Sequence, residues 1–261
     1  MTGNRSMPRR LARSAALLAL AIGVLIAPAR ETAVAAVAPA SDICTVPAEY
    51  IEMQAPLPQT RAALKADRSI RIVALGTSST AGTGAASRAD AYPAQLQQHL
   101  SRLLPRAKVV VINQGVGGQS ARRMVDRIED DVVALEPSLV IWQVGTVDTV
   151  NNIEVENFGL ALSQGIEILR KEGIDVILMN MQYSRRMELI LNYQPYSDML
   201  EGIAAQSDVT VFDRLGIMKY WAYSGRFDYD NVARSERRQL AAKVHGCLGR
   251  LLAEMIHKAV R

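Results

Sequence analysis

The chain has 261 residues, of which 49% are apolar and 21% charged, with 17 Gly and 10 Pro. That balance is globular, and two Cys with three His exclude a disulfide-dense scaffold and a four-cysteine zinc site, so neither metal nor cofactor is expected. The formal charge of +4 invites a nucleic-acid reading, which depends on where the charge lies.

It lies at the start. Arg5, Arg9, Arg10 and Arg13 precede an uncharged apolar run from Ala15 to Ala27, which small residues follow. The run is short for a membrane span, and the pattern predicts a signal peptide over residues 1–40, cleaved after Ala40; an uncleaved anchor is the alternative. Five Arg and one Glu fall in this segment, leaving 25 basic and 25 acidic residues in the remainder. The mature chain is therefore formally neutral. It is expected to be periplasmic or secreted, with no nucleic-acid partner and no membrane span. Nothing in it signals an oligomeric state.

Export changes how the cysteines read. Cys44 and Cys247 stand at the two ends of the mature chain, and in an oxidising compartment they are expected to pair, against the alternative of two free thiols. The bridge would close a loop of about 200 residues, worth roughly 4–5 kcal/mol on the chain-entropy account.

Residues 41–69 form a Pro-containing lead-in with a short helical piece, and residues 70–261 read as one domain. Ile70–Leu75 is a β-rich run followed by a Gly/Ser/Thr loop. Tyr92–Leu104 has helical spacing, with Leu96, Leu100 and Leu103 on one face. Lys108–Asn113 is a second strand, Gly115–Gly118 a turn, and a helix is expected from there to about Leu135. Leu139–Val144 is the third strand, and Glu154–Glu172 a long amphipathic helix ended by Gly173. Asp175–Met181 is the fourth strand. Tyr183–Tyr193 reads as a loop near the site. A helix at Tyr196–Gln206, a short strand at Val209–Phe212 and a last helix over Glu236–Lys258 complete the chain. Alternating strands and helices predict a parallel sheet in a three-layer α/β/α sandwich.

Ligands of open α/β sheets bind beyond the carboxyl ends of the strands. Three unusual loops leave such ends: Gly76-Thr77-Ser78-Ser79-Thr80-Ala81-Gly82, Asn113-Gln114-Gly115-Val116-Gly117-Gly118, and Gly145-Thr146-Val147-Asp148. A serine on a tight turn beside glycines that bare backbone N–H groups has the makings of a nucleophile and an oxyanion hole. The first loop lacks the Lys of a phosphate-cradling loop.

In this order the three blocks resemble those of the SGNH/GDSL hydrolases, serine esterases with a flavodoxin-like, five-stranded parallel sheet. The resemblance runs from about Ile70 to the last helix. It implies Ser78 as nucleophile and the N–H groups of Ser78 and Gly115 as oxyanion donors. It places Thr77, Asn113, Gly145, Thr146, Val147 and Asp148 around the bound ester. Three departures stand out. Thr77 replaces the family's Asp, and Val147 replaces its oxyanion Asn, with Asn151 and Asn152 the nearest amides. Counted back from Cys247–Ala253, the closing Asp-x-x-His falls on Glu236 and Gln239. Glutamine is no general base at neutral pH. His245, six residues later, is the only imidazole close by.

Two readings follow. The first is an esterase acting on small acyl esters, foremost O-acetyl groups of a carbohydrate, with His245 as a base in shifted register. The second is a catalytically impaired protein of the same fold that binds a glycan or assists polysaccharide assembly. A purely structural partner surface is a third. Among weaker signals, Arg234–Arg238 and Arg185-Arg186 are solvated charge runs or grips for an anionic glycan. Six of the eight Tyr follow residue 180, as loop packing or as a sugar-stacking rim.

Overall fold

The computed structural model describes residues 42–261; the expected signal segment and its cleavage site lie outside them. The five β-rich runs form five strands: β1 Ser69–Gly76, β2 Lys108–Gly115, β3 Leu139–Gln143, β4 Asp175–Met179 and β5 Thr210–Phe212. All pair in parallel, in the order β2-β1-β3-β4-β5. The helices in chain order are α1 Pro58–Asp67, α2 Ser78–Ala81, α3 Tyr92–Leu103, α4 Ala121–Val125, α5 Ile128–Asp131, α6 Thr146–Val150, α7 Val155–Lys171, α8 Arg185–Ile190, α9 Gln194–Gln206, α10 Arg214–Tyr223 and α11 Arg237–Val260.

The strand sequences explain the layers. Runs such as Ile72-Val73-Ala74-Leu75 and Leu139-Val140-Ile141-Trp142 are apolar on both faces, as parallel strands covered on both sides must be. Ile72, Ala74, Leu139, Ile141, Ile177 and Phe212 pack with α3, α10 and α11 on one face. Val73, Leu75, Val140, Trp142 and Leu178 pack with α4, α5, α7 and α9 on the other. Consecutive residues thus feed opposite cores, giving the three-layer sandwich that the alternating pattern predicts.

Three elements differ from expectation. The single helix expected before Leu135 is broken into α4, α5 and a 3-10 turn at Val133–Leu135. Arg127, between α4 and α5, turns its side chain back onto Gln114 O (2.8 Å), Gly76 O (3.3 Å) and Gln119 Oε1 (2.6 Å). The expected loop Tyr183–Tyr193 contains α8, whose N-terminus is capped by Ser184 Oγ accepting the Met187 N–H. Helix α10 follows β5 almost at once, capped by the Asp213 carboxylate accepting the Gly216 N–H at 2.9 Å. Its interior Gly and scattered aromatics give it little helical periodicity to read.

The lead-in is part of the packing. Ala55 and Leu57 are buried, and the Thr60 hydroxyl and N–H both donate to Asp175 at the start of β4. Cys44 is disulfide-bonded to Cys247, 203 residues on, as the cysteine placement predicts. No described helix is long and apolar enough to cross a membrane.

Candidate active site

Strand register builds one side of the site. Gly76 pairs with Gly115 across β1–β2, and Leu75 pairs with Trp142 across β1–β3. The loop after β1 therefore lies between the other two. In this strand order the connections after β1 and β3 leave on opposite sides of the sheet, and the gap between them is where such folds bind ligands. Ser78 opens α2 there, half-buried at the rim. The first helical bond runs from Ala81 N–H to Thr77 O (3.0 Å), so the Ser78 N–H has no acceptor within the helix. Among the described residues no side-chain hydrogen bond reaches Ser78 Oγ.

Gln143, the last residue of β3 and fully buried, holds this turn in place. Its Oε1 accepts from Thr77 N–H (3.1 Å), Ser79 Oγ (3.2 Å) and Thr80 Oγ1 (3.2 Å). Thr80 also meets the buried Tyr92 hydroxyl at 3.2 Å. Burial pushes the Tyr92 phenol up to about 12, so it stays neutral. Gly76 is required by crowding, since a Cβ there would strike the Thr80 side chain.

The second loop is offset from expectation. The Gly115 N–H donates to Asn113 Oδ1 at 2.9 Å, an Asx turn, while Asn113 Nδ2 donates to Thr80 O at 2.7 Å. That N–H is engaged within its own loop. The glycine beside the nucleophile position is Gly117, where an added Cβ would stand 3.2 Å from Ser78 Oγ. The Gly118 N–H donates to Thr77 Oγ1 at 3.2 Å, so the threonine in the family's aspartate position ties the first two loops together.

The third loop turns at Gly145, φ 95°, into α6. Val147 is half-buried and brings no donor; Asn151 and Asn152 are exposed at the far end of α6. Asp148 is buried and accepts the Ala121 N–H with both oxygens (2.9 and 3.2 Å), capping α4 from another element. Burial raises its pKa. Thr146 is half-buried, with its hydroxyl unpartnered.

On the opposite side of the rim, no described imidazole or carboxylate is hydrogen-bonded to Ser78. Glu236 and Gln239 are exposed at the start of α11. His245 is buried, and helix packing explains its place. Gly249 of α11 lies against Gln95 and Leu96 of α3, closer than any side chain would permit. One turn back along both helices brings His245 to Tyr92, and the two rings stack with 1° between their planes. The α3 N-terminus has no side-chain cap of its own. His245 Nδ1 supplies one, accepting the Tyr92 N–H at 3.1 Å. An imidazole that accepts on Nδ1 carries its proton on Nε2, so its lone pair is spent. Burial, helped by the charge of Arg214, pushes the His245 pKa down to about 4.

Gln143, Tyr92 and Arg214 escape the motif reading. A glutamine closing an otherwise apolar strand was the available signal for the first. Arg214 opens α10 and is 2% exposed, with Nη1 donating to Ser79 Oγ at 2.8 Å. Among the described residues no group of three or more His, Cys, Asp or Glu is placed to hold a metal ion.

Comparison with known proteins identifies the family and the fold. The model of the Non-GDSL lipase-like family matches residues 43–261. No curated protein sequence matches at a significant level. Among solved structures, a G-D-S-L family protein of Desulfitobacterium hafniense is 20% identical, with a TM-score of 0.56 over 71% of this chain and 99% of its own. An acetyl xylan esterase of Geobacillus stearothermophilus is 18% identical, with a TM-score of 0.59 over 72% of this chain and 94% of its own. A two-domain esterase active on acetylated mannans, crystallised with mannopentaose, is 17% identical, with a TM-score of 0.65 over 81% of this chain and 56% of its own. These likenesses establish a shared SGNH-hydrolase fold.

Proposed function

Since the chain belongs to the non-GDSL lipase-like family, we propose that it is an exported protein that binds an acylated carbohydrate at the Ser78 rim without hydrolysing it at an enzymic rate. One observation carries this reading: the lone pair of His245 is committed to the Tyr92 N–H, while Gln239 is neither basic nor buried. A serine hydroxyl at its ordinary pKa needs a base to attack an ester. Val147 in place of a donor removes a further stabilising contact, on the order of 100–1000-fold in turnover. The ligand class rests on the fold's neighbours, one an acetyl xylan esterase and another active on acetylated mannans. Export rests on the charged, apolar leader of residues 1–40 and accords with the Cys44–Cys247 bond.

One observation favours residual hydrolysis as a second reading: the Ser78 hydroxyl is not engaged by any described side chain, and Gly117 stands beside it. The mature protein and Ser78→Ala are titrated with acetylated xylo- and manno-oligosaccharides by calorimetry, and acetate is assayed in the same samples. Binding with no acetate above the Ser78→Ala level is the expected result. Acetate release lost in Ser78→Ala would establish the second reading, and neither binding nor release would overturn both.

A further inference from the structure

Among the described residues no carboxylate forms an ion pair with the buried Arg214. It is 2% exposed, and the groups acting on its charge are the phenols of Tyr92 and Tyr193, with no carboxylate among them. Burial lowers its pKa to about 10, which leaves it cationic at neutral pH. Nη1 is satisfied by Ser79 Oγ, but Nε and Nη2 have no acceptor. Ser79 passes its own proton to Gln143 Oε1, and the Nε2 of that buried glutamine has no acceptor either. The buried Tyr193 hydroxyl is likewise unpartnered. Unpartnered donors therefore cluster on two groups that share Ser79 as a neighbour.

Buried polar groups find partners, and buried charges find opposite charges. A water molecule would answer the N–H groups but leave the charge unbalanced. Guanidinium is the side chain best shaped to hold a planar carboxylate by two parallel bonds. We propose that Arg214, with Gln143 Nε2 and the Tyr193 hydroxyl, forms a binding site for one small monovalent anion, either a short-chain carboxylate or a halide. Ser79, half-buried beside Ser78, is the partly exposed residue that touches both Arg214 and Gln143. The site is independent of whether Ser78 turns esters over, and no bond is made or broken in filling it.

The test is thermal unfolding of the mature protein at fixed ionic strength. Acetate or chloride replaces gluconate, an anion too bulky for the site. Each small anion is expected to raise the wild-type midpoint by roughly 2–6 °C at saturation. Arg214→Met is expected to abolish the rise, and Tyr193→Phe to weaken it. A larger rise with acetate assigns the site to carboxylates, and a larger rise with chloride to halides. Bromide-soaked crystals supply a second readout that needs no variant, with anomalous signal expected within hydrogen-bond reach of Arg214. No anion dependence in the wild type, or an equal dependence in Arg214→Met, would overturn the proposal. So would bromide found only at the surface of a protein that acetate does not stabilise.

Discussion

The two sides of the Ser78 rim have opposite characters. On the side built from β1, β2 and β3, every loop is anchored: Gln143 holds three donors of the Ser78 turn, Thr77 holds Gly118, Asn113 holds Gly115, and Asp148 holds α4. On the side built from α11, the position that resembles the carboxylate is an exposed glutamate, Glu236, the position that resembles the imidazole base is an exposed glutamine, Gln239, and the one nearby described imidazole caps a helix. A nucleophile loop can persist because it is also a structural joint. A base on the surface has no such second role, and its loss leaves the fold intact. The comparison teaches that a retained serine loop testifies to architecture before it testifies to catalysis.

The largest expected effect comes from the covalent tie on the α11 side. Replacing Cys44 and Cys247 with Ser is expected to cost about 2–5 kcal/mol in urea unfolding. A loss under about 1 kcal/mol would mean that α11 is held by packing alone.

Next is the anchored side itself. Gln143→Leu strips an acceptor from three groups, two of them on buried threonines, and is expected to cost about 2–4 kcal/mol. A near-neutral result would show that the Ser78 turn does not depend on β3.

His245 divides the two accounts by pH. Its folded pKa of about 4 lies below the ordinary 6.5, so the unfolded chain binds its proton first. Stability is full above about pH 6.5 and falls between there and pH 4, by about 3 kcal/mol in all. His245→Ala is expected to lower stability at pH 7 by about 1–3 kcal/mol through the lost cap and packing, and to flatten this acid-side slope. Urea midpoints across pH 4–8 check both. An unchanged slope would mean that the imidazole is not held neutral.

The smallest effect belongs to the exposed pair. Glu236→Ala and Gln239→Ala are expected to stay within about 0.5 kcal/mol of wild type by urea unfolding. A loss beyond 1 kcal/mol would give that side a structural role it lacks here.

The sheet was legible because each strand is a short apolar run punctuated by Gly, Asn or charge, and strand-helix alternation leaves little freedom of topology. The Ser78 loop was legible for the same local reason. Gly117, two residues beyond the expected Gly115, is the glycine that stands beside Ser78 Oγ. The Asn113-x-Gly115 spacing carried a clue, because an Asx turn consumes the N–H of its third residue. The role of His245 was not local at all. It follows from how closely Gly249 lets α11 approach α3, which brings together Tyr92 and His245, 153 residues apart in the chain. Arg214 was hidden twice over, since its helix lacks a periodic pattern and its partner Ser79 lies 135 residues away.

The central claim is that Ser78 has no base, and the reactivity of its hydroxyl tests that most directly. Mature wild type and Ser78→Ala are exposed to a fluorophosphonate probe and to an aryl acetate at pH 7–8. The account predicts no covalent adduct on Ser78 and equal, background hydrolysis in both. Stoichiometric labelling of Ser78, with hydrolysis that Ser78→Ala abolishes, would contradict it.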